Sequence, residues 1–132
     1  MYALPALITA LALLFYSFVT FKTGMARGKY GIKAPAISGH EMFERRYRVQ
    51  ANTLEQLMLF LPSLWLFTFF QQAPKVAACI GAVWLIGRSW YAVMYYRDPS
   101  KRAPGFIVAL FSSIILLIGG LAGICVELTG SF

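Results

Sequence analysis

The residues of this chain that could do chemistry are few, and they fall into two helical stripes. At about 100° per residue, Arg45, Arg48, Asn52, Glu55 and Gln56 lie within one stripe of a helix. Trp84, Arg88, Tyr91 and Tyr95 follow i, i+4, i+7, i+11 spacing and share a face of another. Arginines offer forked donors to carboxylates, a glutamate can hold an ammonium, and tyrosines add hydroxyls at low entropic cost. A zwitterionic ligand with several carboxylates suits two such stripes side by side. The same residues admit a plainer reading: Glu55 and Arg88 form a buried ion pair that fixes helix register, and the tyrosines make an interfacial belt.

The elements that carry these stripes must cross a membrane. Of 132 residues, 59% are hydrophobic and 13% charged, against roughly 25% charged in an average soluble domain. The mean hydropathy is +0.66. A soluble protein this small has proportionally more surface to cover with polar groups, so the composition excludes one. It also excludes disorder, and two cysteines with one histidine exclude a disulfide scaffold or zinc domain. A membrane helix takes about 20 predominantly apolar residues. Residues 2–21 form one without charge; lacking a basic n-region and a small-residue cleavage site, it reads as a retained helix. Residues 76–96 form another, interrupted only by Arg88, and 105–126 a third with no charge. The apolar run 57–70 is too short alone, and extending it back to residue 51 brings Asn52, Glu55 and Gln56 into the span. Read as one helix, 41–70 is about 45 Å long and exceeds the ~30 Å hydrocarbon core, so its basic end reaches the headgroup layer. The expected architecture is an all-α, integral membrane four-helix bundle forming one domain over residues 1–132.

Charge orients the bundle. Lys22, Arg27, Lys29, Lys33, Arg45, Arg46 and Arg48 lie between the first two apolar spans, and Arg97, Lys101 and Arg102 lie between the last two. The connection between spans two and three holds only Lys75. The positive-inside rule puts the basic loops in the cytoplasm and both termini on the opposite side. Concentrating a net charge of +7 on one face serves topology, attraction to anionic membrane lipid, or an anion-binding rim; nucleic acid is not an expected partner. An ionisable residue in a span costs about 2.5–3.5 kcal/mol, so both stripes must face protein or water. Pro62 is expected to bend its helix, and Gly119 with Gly123 to allow close helix packing. Cys79 and Cys125 read as small buried hydrophobes before they read as a disulfide. His40 has no second ligand nearby, so no metal is expected.

The stretch Phe43-Glu44-Arg45-Arg46-Tyr47-Arg48-Val49-Gln50-Ala51-Asn52-Thr53-Leu54-Glu55 resembles the F-E-R-x-x-R-x-x-x-N-x-x-E signature of the MAPEG family, the membrane-associated proteins in eicosanoid and glutathione metabolism. The resemblance extends to length, four helices and basic loops, and so covers essentially the whole chain. It implies a homotrimer that binds glutathione between neighbouring subunits near the cytosolic face. By position, Arg48, Asn52 and Glu55 match glutathione-binding residues, as do Gln50 and Arg27. Arg88, Tyr91 and Tyr95 match an R-x-x-Y-x-x-x-Y pattern and are implied to bind glutathione too, and Arg102 matches the arginine that stabilises the glutathione thiolate. Departures bear on the branch. Gln56 stands where leukotriene-forming members have tyrosine, Gly28 where they have a second arginine, and Phe106 where prostaglandin-forming members have arginine.

The resemblance therefore implies a bacterial microsomal-type glutathione transferase of the inner membrane, using glutathione as co-substrate, conjugating it to lipophilic electrophiles or reducing lipid hydroperoxides. Two alternatives stand beside it: a non-catalytic lipid-binding member of the same family, and a small four-helix transporter. Such transporters carry a carboxylate in helix 1, and residues 2–21 have none.

Overall fold

The structure is a computed structural model and describes residues 1–130; the last two residues of the expected 1–132 domain lie outside them. Helices α1 (Ala3–Tyr30), α2 (Glu41–Phe70), α3 (Pro74–Arg97) and α4 (Ala103–Thr129) follow in order, with one 3₁₀ turn at Pro99–Lys101. All four are long and apolar enough to cross a membrane, and no strand occurs among the described residues. The chain is an all-α, membrane-spanning four-helix bundle.

Three helices outrun their apolar spans. Expected to end at residue 21, α1 continues to Tyr30, so that Lys22, Arg27 and Lys29 are helical rather than in a loop. Lysine and arginine are good helix formers, and helix continuation depends on backbone hydrogen bonds rather than on apolar side chains. Gly31 ends it at φ +67, with its N–H returning to Arg27 O. Pro74 opens α3 in the first turn, where its missing N–H costs nothing. At the other extreme, α4 runs to Thr129 and stops at Gly130. The bounds of α2 agree with expectation. It opens on His40, whose Nδ1 accepts from the Met42 N–H at 3.1 Å, with Glu41 and Glu44 in the first turn favouring the helix dipole. Pro62 sits inside α2 without interrupting it.

Two apolar clusters hold the helices. In one, Phe60 and Trp84 stack with centroids 4.1 Å apart among Leu57, Leu64, Ala77 and Leu116. The other joins Val19, Val49, Tyr91 and Ala92. Hydrogen bonds pin the helices to one another: Trp65 Nε1 donates to Thr9 Oγ1 at 3.0 Å, and Thr23 Oγ1 donates to Arg46 O at 3.1 Å. Arg45, paired with Glu41, donates to the Tyr96 and Arg97 carbonyls and so caps the end of α3. Cys79 and Cys125 depart from expectation: both are exposed free thiols on the helix exterior, because a bundle leaves one side of each helix for lipid.

Candidate functional site

One end of the bundle gathers the start of α2, the end of α3 and the start of α4. Arg48 and Asn52 sit one turn apart on α2, and Tyr91 and Tyr95 one turn apart on α3. With Ser100, Arg102, Ala103, Phe106 and Ile107 they line a cleft of about 700 Å³, within the ~300–1,000 Å³ usual for small-molecule sites. Glycine sets the cleft wall. A Cβ on Gly105 would lie 2.4 Å from Tyr91 N, and one on Gly87 would lie 2.8 Å from Ala109 N, so α3 and α4 meet backbone to backbone here. That approach puts Phe106 6.1 Å from Tyr91, itself 5.5 Å from Tyr95, centroid to centroid.

Arg102 reaches the cleft from the residue preceding α4. Its guanidinium donates to Pro99 O at 2.8 Å. The turn that presents this carbonyl is fixed by Asp98, whose Oδ1 accepts from the Ser100 hydroxyl at 2.8 Å and the Ser100 N–H at 3.1 Å. Those two bonds, the side-chain one foremost, hold the Asp98 carboxyl below its ordinary range.

Beneath the cleft lies Arg88, fully buried. It donates to Asn52 Oδ1 at 2.9 Å and to Thr53 Oγ1 at 2.8 Å, and its guanidinium carbon sits 4.2 Å from the Tyr91 ring centroid. Thr53 passes the chain on, donating to Val49 O at 2.7 Å. The expected alternative of an Arg88–Glu55 ion pair is not what forms. Glu55 turns outward instead, its side chain 59% exposed and 3.8 Å from Arg48. Asn52 and Glu55 are three residues apart, about 60° round the helix, and the crossing of α2 and α3 selects the former.

The cleft thus brings together Arg48, Asn52, Tyr91, Tyr95 and Arg102 of the residues singled out from sequence. Glu55 borders it through Arg48, whereas Arg88, expected to bind glutathione, underlies the cleft without lining it, because its terminal nitrogens are taken up by Asn52 and Thr53 inside the bundle. Arg27 and Gln50 are elsewhere. Arg27 is on the last turn of α1, donating to Ala36 O at 2.7 Å and lying over the Phe43 ring. Gln50 precedes Asn52 by two residues and so points about 200° away round α2. Chemically, the cleft offers two exposed guanidinium groups for anions, tyrosine hydroxyls, and an apolar wall at Phe106 and Ile107.

Residues 2–122 match the MAPEG family. The chain belongs to that family. Among MAPEG relatives, an uncharacterized protein of Synechocystis sp. is 52% identical over 124 residues, covering 94% of this chain and 90% of its own length. Microsomal glutathione S-transferase 2 of Homo sapiens is 34% identical over 122 residues, covering 92% and 82%. Leukotriene C4 synthase of Rattus norvegicus is 33% identical over 100 residues, covering 76% and 66%. The MAPEG match spans every residue that lines the cleft. Sequence reasoning on this MAPEG chain missed Thr53, Ser100 and the glycine pair Gly87 and Gly105. Thr53, a hydroxyl beside Asn52 in a span, was a readable signal. The glycines become legible only once their neighbours are known.

Proposed function

We propose that this MAPEG protein is a membrane-bound glutathione transferase, conjugating glutathione to lipophilic electrophiles and able to reduce lipid hydroperoxides. The observation that carries the reading is the convergence of Arg48, Asn52, Tyr91, Tyr95 and Arg102 on one cleft at the basic end of a membrane bundle. Relatives named microsomal glutathione S-transferase 2 support the choice of thiol. Glutathione carries two carboxylates, an ammonium and a thiol. Arg48 and the Asn52 amide suit a carboxylate, Glu55 suits the ammonium, and the tyrosine hydroxyls suit peptide carbonyls.

The step the protein must promote is ionisation of the thiol. An unperturbed thiol titrates near 8.5, and only the thiolate is nucleophilic. A guanidinium close to sulfur favours the anion, and Arg102, which lines the cleft and is anchored to Pro99 O, is the residue we assign to this role. The thiolate then forms an S–C bond to an electrophile as its leaving group departs with the electron pair. With a hydroperoxide it attacks the terminal oxygen, releasing an alcohol, and a second glutathione reduces the resulting sulfenic acid to the disulfide with loss of water. Phe106 and Ile107 give an acceptor arriving from the bilayer an apolar surface.

The reading extends to a homotrimer with the basic loops in the cytoplasm of a bacterial inner membrane. Glu55 is exposed within a span, where it needs protein or water around it, and Arg27 and Gln50 lie outside their own cleft. A neighbouring copy covering α2 would meet the first need and bring those two residues to the ligand.

The test is glutathione calorimetry on the detergent-solubilised protein with thiolate absorbance recorded alongside. Saturable binding, weakened about tenfold by Glu55→Gln, with a thiolate signal lost in Arg102→Ala, is the expected result. Absence of binding at millimolar glutathione overturns the assignment; binding without a thiolate signal points to a lipid-binding member of the family.

A further inference from the structure

Arg88 is a buried cation without a carboxylate. Its side chain is fully inside the protein, it makes no ion pair among the described residues, and its Nε has no hydrogen-bond partner. A charge in that position is costly unless something answers it. Its two donated bonds go to neutral oxygens, Asn52 Oδ1 and Thr53 Oγ1, and its face lies over the neutral Tyr91 ring, so its neighbours stabilise the charge without neutralising it. A guanidinium can only donate, so the atom of the Asn52 amide that faces Arg88 must be the oxygen. The Asn52 NH₂ is then left for the cleft, and no described group accepts from it.

We propose that Arg88 is a positioning residue that does not touch the ligand: it locks the Asn52 amide with its donor toward the cleft and leaves an unneutralised positive charge beneath it, so that the floor of the cleft selects an anionic group of glutathione. The inference rests on the glutathione reading above and deepens it. Asn52 in the opposite orientation would present an acceptor and repel an anion. Thr53 cannot substitute, because its hydroxyl proton is committed to Val49 O and its oxygen to Arg88. Two anions of the ligand share this chemistry, a carboxylate and the thiolate, and a thiol-blocked ligand separates them.

The experiment is a double-mutant cycle on the full-length protein in detergent. Glutathione and S-methylglutathione affinities are measured for wild type, Asn52→Ala, Arg88→Gln and the double variant, with Arg88→Lys as the conservative control. Each single change is expected to weaken glutathione by about ten- to a hundredfold, the double change no more than the worse single one, and Arg88→Lys much less than Arg88→Gln. Equal losses for S-methylglutathione place a carboxylate on Asn52; losses confined to glutathione place the thiolate there. Additive losses, or an unchanged affinity in Arg88→Gln, overturn the proposal.

A ligand-free arm keeps the two readings apart. Asn52→Asp sets a carboxylate against Arg88, so it should lower the melting temperature less in the wild type than in the Arg88→Gln background, while abolishing glutathione binding. Equal lowering in both backgrounds overturns the coupling. If the wild type fails to bind glutathione at all, the functional reading falls, and the melting comparison still decides whether Arg88 acts on residue 52. Should Arg88→Gln not fold, Asn52→Asp alone decides: a wild-type melting temperature supports the pairing and a marked fall overturns it.

Discussion

At the end of the bundle where α2 and α4 both finish, glycines close the space between them. A Cβ on Gly120 would lie 2.9 Å from Leu66 Cβ, and one on Gly123 would lie 2.5 Å from Phe70 O. At the opposite end the glycine contact is between α3 and α4 instead, at Gly87 and Gly105, and α2 faces the pair with Arg48 and Asn52. The first end is filled; the second holds a cleft of about 700 Å³. Both ends use close backbone approach, but moving it from α2–α4 to α3–α4 leaves α2 apart from α4. Long charged side chains occupy the rim that results. The lesson is that a helix bundle opens a site by choosing which pair of helices touches, and side-chain chemistry then keeps the opening polar.

That contrast can be broken from either side. The largest effect is expected from Arg102→Ala, which alters only the open end. Loss of one preorganised electrostatic contact to a developing or stored anion typically costs about 10²–10³ in turnover, while the melting temperature should stay near the wild type because Arg102 is exposed. A conjugation assay paired with thermal unfolding checks both. Next come Gly105→Ala and Gly123→Ala, whose new methyl groups would meet backbone atoms at 2.4 and 2.5 Å. Each should cost about 1–3 kcal/mol of stability, more than the ~1 kcal/mol of helix propensity gained. They should differ in ligand affinity, since only Gly105 supports Tyr91 and Phe106. Equal effects on glutathione binding would show that the two ends are not independent.

A smaller change tests the packing between them. Trp84 stacks on Phe60 but its buried indole N–H has no partner. Trp84→Phe keeps the ring stack and removes an unsatisfied donor, so stability should move by no more than about 1 kcal/mol. The smallest effect concerns the turn behind Arg102. The Asp98 carboxyl lies below its ordinary 3.8 in the folded chain, so the contribution of its bonds to Ser100 is present above 3.8 and is lost as pH falls through the lower folded value. Protection of the Ser100 amide, taken relative to the intrinsic exchange rate at each pH, should therefore fall below pH 3.8, and Asp98→Asn should remove that pH dependence.

Legibility from sequence followed the range of the interaction. The opening of α2 at Glu41 was readable because Glu41 and Glu44 mark a first turn, and its length because the polar and apolar stripes share one period. The end of α1 was misjudged because apolarity stops at Phe21 whereas the backbone hydrogen bonds run on to Gly31. Arg48, Asn52, Tyr91, Tyr95 and Arg102 were all in view before the fold, and the cleft unites them. Arg27 and Gln50 were in view as well, yet lie elsewhere within the chain, since matching positions in a motif say nothing of which face meets which neighbour.

Helical period is a local property, repeating every 3.6 residues, and composition alone requires apolar spans to enter the bilayer. From these the sequence by itself determined four spans, the membership of each polar stripe and the basic character of one end. Which stripe residue meets which depends on axial shift and crossing angle, and those follow from contacts between distant glycines and backbones. The tertiary structure alone therefore decided that Arg88 binds Asn52 and Thr53 rather than Glu55, that the two cysteines face outward, and that the space between α2 and α4 is open at one end and closed at the other.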